Sequence, residues 1–364
     1  MKRKELISIL LVGILLSGLL TATAANDAGS VTNPLISLDW LKTVFLPTTS
    51  ETIDASIDQA FESAFRDVID AGATGVEIRV KKGDILLLES GSTLTALAGE
   101  LSASASGTIL NVTEGSELPN SSGKILVGHR YLTAEKTQAF FSVSSDTAVV
   151  RMTGLYRLTS SRETDYNALA NALHDLGLFA GSPTPYGSGY DLELEPTRIQ
   201  GLILFLRLLG EEEAALSYTD TSTIFRDVPA WALPYVSYAY SKGYTKGQEI
   251  DSQGRVAFGP NELLSPRDYL TFILRALGYE EGTDFRWKHA IANAQELGIL
   301  TEGESGLLSE KPFLRAQVVY LSYFALSTNM AGQESTLLER LLVNQAIHSD
   351  SASAILDSVT VERL

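Results

Sequence analysis

Two four-residue segments carry the chemistry most readily named from residue type and spacing. Thr197-Arg198-Ile199-Gln200 and Leu314-Arg315-Ala316-Gln317 each place an arginine at the first position of a helix-patterned run, with a glutamine two residues later. In the first segment Thr197 and Gln200 are the two halves of a capping box. The first-turn amides of such a helix point outward, its dipole favours negative charge there, and a guanidinium alongside can take a carboxylate through two hydrogen bonds. The pattern suits a carboxylate clamp. It would serve equally as a plain helix cap with a surface ion pair to one of the chain's many acids. Between these segments, Ser265-Pro266-Arg267-Asp268 is a degraded version. Counting nine residues back from Arg275, as Arg207 counts back to Arg198, puts Pro266 at the arginine position. Ser265 takes the capping position and Asp268 that of the glutamine, while Arg267 is displaced by one residue, about 100° round a helix.

Other residues nominate little chemistry. His129, His174, His289 and His348 fall one per region, without metal-ligand spacing. Glu211-Glu212-Glu213 follows a helix end and reads as a solvated loop. Asp251-Ser252-Gln253-Gly254 resembles the start of a calcium loop but lacks the later bidentate glutamate. The sequence holds no nucleophile elbow, phosphate loop or dinucleotide fingerprint, and no cysteine for disulfides, thiolate sites or nucleophilic attack. The expectation is a protein without catalytic residues, metal or cofactor.

The elements that must position these segments change character near residue 155. Phe61, Ala64, Phe65, Val68 and Ile69 have helical spacing; Val76, Ile78 and Val80 then alternate with Glu77, Arg79 and Lys81 as in a strand. Further short apolar runs separated by Gly/Ser turns predict a small all-β domain, sandwich or barrel, over about 73–158, preceded by one or two helices. Residues 25–158 thus form a helical lead-in plus β domain. From 159 the period is helical and repeats as helix, glycine, loop, helix, with stop glycines Gly177, Gly243 and Gly298 lying 66 and 55 residues apart. Three units, about 159–216, 217–282 and 283–330, call for a repeat architecture in which no unit buries its faces alone. Residues 331–364 form a tail with a helical stretch around 337–347, packed on the array or trailing from it. The fold class is α+β.

Composition sets the class of partner. Of 364 residues 45% are hydrophobic and 20% charged, which excludes global disorder, and the formal net charge of −16 excludes a nucleic-acid partner, which needs a basic face. Lys2-Arg3-Lys4, the apolar run Leu6 to Leu20 and Ala22-Thr23-Ala24 have the form of a secretory signal peptide over 1–24, although the run is just long enough to serve as a retained anchor. No second such segment follows, so a secreted bacterial chain without membrane contact after signal cleavage is expected.

The middle unit contains Phe225-Arg226-Asp227-Val228-Pro229-Ala230-Trp231-Ala232-Leu233-Pro234-Tyr235-Val236, then Lys242-Gly243-Tyr244-Thr245-Lys246-Gly247, Phe258-Gly259-Pro260-Asn261 and Leu274-Arg275-Ala276-Leu277-Gly278-Tyr279. This resembles the S-layer homology (SLH) domain, three copies of which span about 160–330. The resemblance implies a pseudo-trimer of repeats that holds an exported protein to the cell wall. The implied ligand is a secondary cell-wall polysaccharide, commonly bearing ketal-linked pyruvate. It nominates Arg198 and Arg315 as carboxylate clamps, with Arg267 displaced, Thr197 and Ser265 as caps near the ligand, and Asp227 and Trp231 as sugar contacts. Trp231 would serve equally as a core or interface aromatic. Asp284 and Trp287 only poorly echo the Asp-Val-x-x-Trp signature before the third copy. The leading expectation is a wall-anchored surface protein displaying its β domain, with other surface-layer proteins as further partners. The alternatives are a wall-localised glycan or peptidoglycan hydrolase, or a degenerate SLH scaffold acting in surface assembly.

Overall fold

Alternating apolar and polar residues build the first half of the described chain from strands. The structure, a computed structural model, describes residues 75–364 except 119–121, 183, 185, 222–223, 249–251, 310–311 and 348, together with positions 45, 46, 49 and 53. The expected signal peptide, all but those four positions of the helical lead-in, and Asp251 lie outside the described residues. Everything below belongs to the unit Val68–Leu364.

Eleven strands follow one another: β1 (Val76–Lys81), β2 (Ile85–Leu88), β3 (Thr93–Ala98), β4 (Leu101–Ala105), β5 (Ile109–Asn111), β6 (Ser116–Glu117), β7 (Ser122–Ile125), β8 (Arg130–Thr133), β9 (Ala139–Val143), β10 (Thr147–Thr153) and β11 (Tyr156–Thr159). They form two antiparallel sheets, ordered β1-β10-β3-β8-β5-β6 and β11-β2-β9-β4-β7. Leu94, Tyr131 and Val150 of the first sheet share one apolar core with Leu86, Leu88 and Phe141 of the second. The polar face of β1 is at least partly buried. Glu77, Arg79 and Lys81 turn toward the helical half, where Lys81 Nζ donates to Ser160 Oγ at 2.6 Å and lies 3.9 Å from Asp165.

The helical half comprises α1 (Tyr166–Asp175), α2 (Arg198–Leu208), α3 (Glu212–Leu216), α4 (Leu233–Ser241), α5 (Pro266–Ala276), α6 (Ala290–Glu296), α7 (Glu302–Leu307), α8 (Arg315–Ala325), α9 (Leu337–Val343) and α10 (Ser349–Asp357). Helices α1, α4 and α6 end alike. Gly177, Gly243 and Gly298 all take φ between +73° and +78°, and the next residue's amide reaches back to Leu173, Ala239 and Ala294 respectively at 2.8 Å. This is the Schellman closure, which favours glycine because a Cβ is strained at positive φ.

The partner helices α2, α5 and α8 are each eleven residues long, and two of them start on backbone borrowed from elsewhere in the array. Arg198 N donates to Glu262 O at 2.8 Å and Ile199 N to Pro260 O at 3.2 Å, both in the loop before α5. Arg315 N donates to Leu194 O at 2.9 Å and Ala316 N to Leu192 O at 3.1 Å, in the loop before α2. The first-turn amides expected to face outward are therefore spent inside the protein. One core runs from Tyr166 through all these helices to Ala352 and takes in Leu337, Leu341 and Ile347, so the tail packs on the array.

The tail also completes a recurring clamp. Arg207, near the end of α2, donates to Ala180 O at 3.3 Å and pairs with Glu212 at 2.5 Å; Arg275, near the end of α5, donates to Tyr244 O at 2.7 Å and to Glu281 at 2.5 Å. The corresponding position of α8, nine residues after Arg315, is Phe324. There Arg363 comes in from the tail, 5.8 Å over the Phe324 ring, donating to Ile299 O at 2.5 Å and to both oxygens of Glu304 at 2.7 and 2.9 Å. Glu304 is 1% exposed. Removing one partner of such a pair strands a buried charge. Arg363→Ala should cost about 3 kcal/mol in urea unfolding, and adding Glu304→Gln should restore about half of it.

Candidate functional site: the Arg198 cleft

Burial of Arg198 follows from its place at the start of α2. With its own amide held by the loop before α5, its side chain enters the seam between the two helices and is 4% exposed. The guanidinium lies 5.3 Å over the Phe258 ring and 5.7 Å over the Phe272 ring. Nη1 sits 2.6 Å from Asp268 Oδ1 in an ion pair whose angles fall short of a hydrogen bond, and Nε has no hydrogen-bond partner among the described residues. A buried guanidinium with spare donors is costly unless something accepts from it.

A cleft of about 550 Å³ opens here, lined by Arg198, Lys246, Asp268, Arg275, Glu281 and Trp287. Lys246 and Arg275 lie 3.6 and 2.5 Å from Glu281. Among the described residues the cleft therefore carries three cations against two carboxylates, a local positive excess on an acidic chain. Burial acts to raise the Glu281 carboxyl, but Arg275 and Lys246 outweigh it and hold it below the usual range. At Asp268 burial is likewise outweighed, by the Arg198 charge and by hydrogen bonds from Ser265 and Trp287. Gly247 shapes one wall, since a Cβ there would fall 2.3 Å from Val256 Cγ1, and its φ is +78°.

The expected site residues separate. Arg198 lines the cleft, and Thr197 caps its helix with Gln200 Oε1 accepting from Thr197 N at 2.9 Å. Asp227 is exposed but does not line the Arg198 cleft: both its oxygens accept backbone amides, from Phe258 and Gly259, each at 2.8 Å. It acts as a clamp on the loop that carries Phe258. Trp231 is 60% exposed and lies outside the Arg198 cleft. Ser265 is engaged as a cap, its hydroxyl 2.6 Å from Asp268 Oδ2 and accepting from Asp268 N at 3.2 Å. Arg267 borders a separate cleft of about 490 Å³ with Ser265, Pro266 and Phe313, and lies 5.9 Å over the Trp287 ring. Arg315 is 4% exposed in a different seam and lines neither of these clefts nor a third. The third cleft, about 640 Å³ between the β domain and the helices, carries Glu100, Asp146 and Glu193 and, among the described residues, no cation, so its charge disfavours an anion.

Lys246, Arg275, Glu281 and Trp287, all in the cleft lining, are not nominated as site residues by the sequence. Trp287 donates its indole N–H to Asp268 Oδ1 at 3.1 Å. A signal existed. Ala230–Ala232 and Trp287–His289 are both 3-10 turns leading into the first helix of a pair, and each contains a tryptophan. The run Glu211-Glu212-Glu213 is also more than a solvated loop. Glu212 takes Arg207, and Glu211 accepts the hydroxyls of Tyr238 at 3.2 Å and Tyr244 at 3.1 Å. Burial first, then the nearby Glu211, push the Tyr238 hydroxyl up to about 12.

The Asp268 shift has a consequence for acid stability. Its carboxyl titrates below the unfolded value of about 3.9, so its contribution is complete above that pH and is lost as pH falls through the folded value. Asp268→Asn should lower stability at pH 7 by about 3 kcal/mol, with the gap to wild type narrowing in urea unfolding at pH 3.

No family model matches the chain. Two curated relatives do. A cell surface protein of Thermoanaerobacter kivui is 30% identical over 141 residues, 38% of this chain and 17% of that protein. A middle cell wall protein of Brevibacillus brevis is 30% identical over 141 residues, 38% of this chain and 12% of its own length. The chain spans less than a fifth of the length of either relative. Its similarity is to proteins of the bacterial cell surface and cell wall.

Proposed function

We propose that this chain is an exported bacterial surface protein, held non-covalently to the cell wall by SLH-type repeats that bind an acidic secondary cell-wall polysaccharide in the Arg198 cleft. The observation that carries the reading is the buried Arg198 guanidinium, with an unpartnered Nε, at a cleft of net positive charge. A ketal-linked pyruvate offers the planar carboxylate that such a fork grips, and Trp287 offers a face for the sugar ring. The pseudo-trimer is supported by the thrice-repeated glycine closure and by helix starts that borrow each other's loops. The printed names of the two relatives support the location.

The β domain is read as a displayed module that meets neighbouring surface proteins. Its interior is filled by large apolar side chains, which favours display over a hydrolase built into the sandwich. Because the clamp is local and buried, salt should matter little: buried pairs are screened far less than surface charge. The test is co-sedimentation of residues 25–364 with wall sacculi, before and after the polysaccharide is stripped. Arg198→Ala and Trp287→Ala should each lower the bound fraction about tenfold or more, as loss of a charge-assisted hydrogen bond or a stacked ring does. A wild-type chain that stays in the supernatant with unstripped sacculi would sink the reading.

A further inference from the structure

The seam at Arg315 has the same construction as the one at Arg198, with a different outcome. Both arginines start a helix, donate their backbone N–H to a neighbouring loop and are 4% exposed. Each lies over an aromatic ring, Phe179 for Arg315 at 5.9 Å and Phe258 for Arg198 at 5.3 Å. At Arg198 the guanidinium borders an open cleft. At Arg315 it is consumed: Nε donates to Tyr190 O at 2.9 Å and Nη1 to Ser182 Oγ at 3.3 Å.

The segment that consumes it is held in place by the β domain. Gly187 N donates to Glu77 of β1, and Gly187 O accepts from Arg79 Nε at 2.6 Å and from Nη2 as well. The Arg79 guanidinium lies 5.0 Å over the Tyr190 ring, so Tyr190 is gripped through its carbonyl by Arg315 and through its ring by Arg79. The approach is close. A Cβ on Gly187, whose φ is +61°, would fall 2.7 Å from Arg79 Nη2 and 3.0 Å from Val149 Cγ2 of β10. A second latch joins α8 to the β domain, Gln317 Nε2 donating to Asp146 Oδ2 at 2.7 Å. The closure is nonetheless imperfect. Arg79 Nη1 lies 3.7 Å from Glu193 Oε1, and neither Nη1 nor either Glu193 oxygen has a hydrogen-bond partner among the described residues. Buried groups left short of partners subtract from the docking energy, so this contact is one that can open.

We propose that the β domain is a stopper for the Arg315 groove, so that of the two arginines that start a helix only Arg198 opens on a carboxylate groove among the described residues, and the chain takes one acidic glycan residue per molecule at these helix starts. The third helix start has Pro266 in place of a guanidinium and adds no clamp. The count rests on the glycan reading of the Arg198 cleft; the stopper rests on contacts that need no ligand. Undocking of β1 frees Ser182, Gly187 and Tyr190 and exposes a second groove around Arg315.

The test uses residues 25–364 and a methyl glycoside carrying a ketal-linked pyruvate, titrated by calorimetry, with hydrogen exchange as a readout that needs no ligand. Wild type should bind one equivalent, Arg198→Ala none, Arg79→Ala two, and Arg79→Ala/Arg315→Ala one. In Arg79→Ala the amides of 187–194 should exchange about tenfold faster, while those of 258–264, the matching loop at Arg198, stay unchanged. Two equivalents in wild type, or weaker wild-type binding on Arg315→Ala, would mean that the groove is already open and would overturn the proposal. One equivalent in Arg79→Ala despite faster exchange would show that the groove is no site, and unchanged exchange would show that the β domain does not hold the loop; either overturns it. Binding by no variant sinks the glycan reading, and with it the count, while the exchange data still decide the stopper.

Discussion

Every helix begins with amides that have no partner in their own helix, and in this protein the solution to that constraint organises the whole array. Helices α2 and α8 pass their first N–H groups to carbonyls of loops that belong to another part of the array, Glu262 and Pro260 for one, Leu194 and Leu192 for the other. A buried amide left alone costs about 1–3 kcal/mol, so these bonds fix which loop sits against which helix. They also fix the side chain at the first helical position, which has nowhere to go but into the seam. A surface clamp based on free amides and the helix dipole is thereby removed. What remains for an anion is the guanidinium itself, presented at the bottom of a cleft.

Features that depend on a few consecutive residues were legible in the sequence; those that depend on a distant partner were not. The stop glycines could be read because the Schellman closure is complete within six residues. The strands of the β domain could be read because alternation is local. The destination of the polar face of β1 could not, since Glu77 and Arg79 meet Gly187 more than a hundred residues away. Asp227 shows the same limit from the other side. Its motif singles it out, but its work is to accept two amides 31 and 32 residues downstream, so it supports the site without touching the opening. The triple glutamate was misread for a related reason: its tyrosine and arginine partners come from separate helices.

Charge distribution follows the same economy. The chain carries a formal charge of −16, and a long-range field of that sign repels an acidic polymer. On the proposed function, attraction for such a polymer has to be generated at contact distance, where salt screens it less. Setting Arg198, Lys246 and Arg275 against Asp268 and Glu281 in a recessed cleft meets that need. The counterions hold the cations in place, and the excess positive charge is left for a ligand. At Arg315 the corresponding charge is absorbed by carbonyl and hydroxyl oxygens of residues 182 and 190.

The three helix starts therefore differ in what they can bind while agreeing in how they fold. The reason is that the first helical position does two separable jobs. Its backbone must satisfy the seam; its side chain sets the charge that the seam holds. Proline meets the backbone requirement at Pro266 without any N–H to place, which is why it is tolerated at that position of a helix and why the array survives the loss of a guanidinium there. Arginine 363 makes the same point at another position, arriving from the tail to clamp the turn that Phe324 leaves unclamped. In such an array the backbone bonds at each helix start hold the loops in place, while the identity of the first side chain decides the charge that each seam carries, so the seams can differ in charge while the helices keep one arrangement.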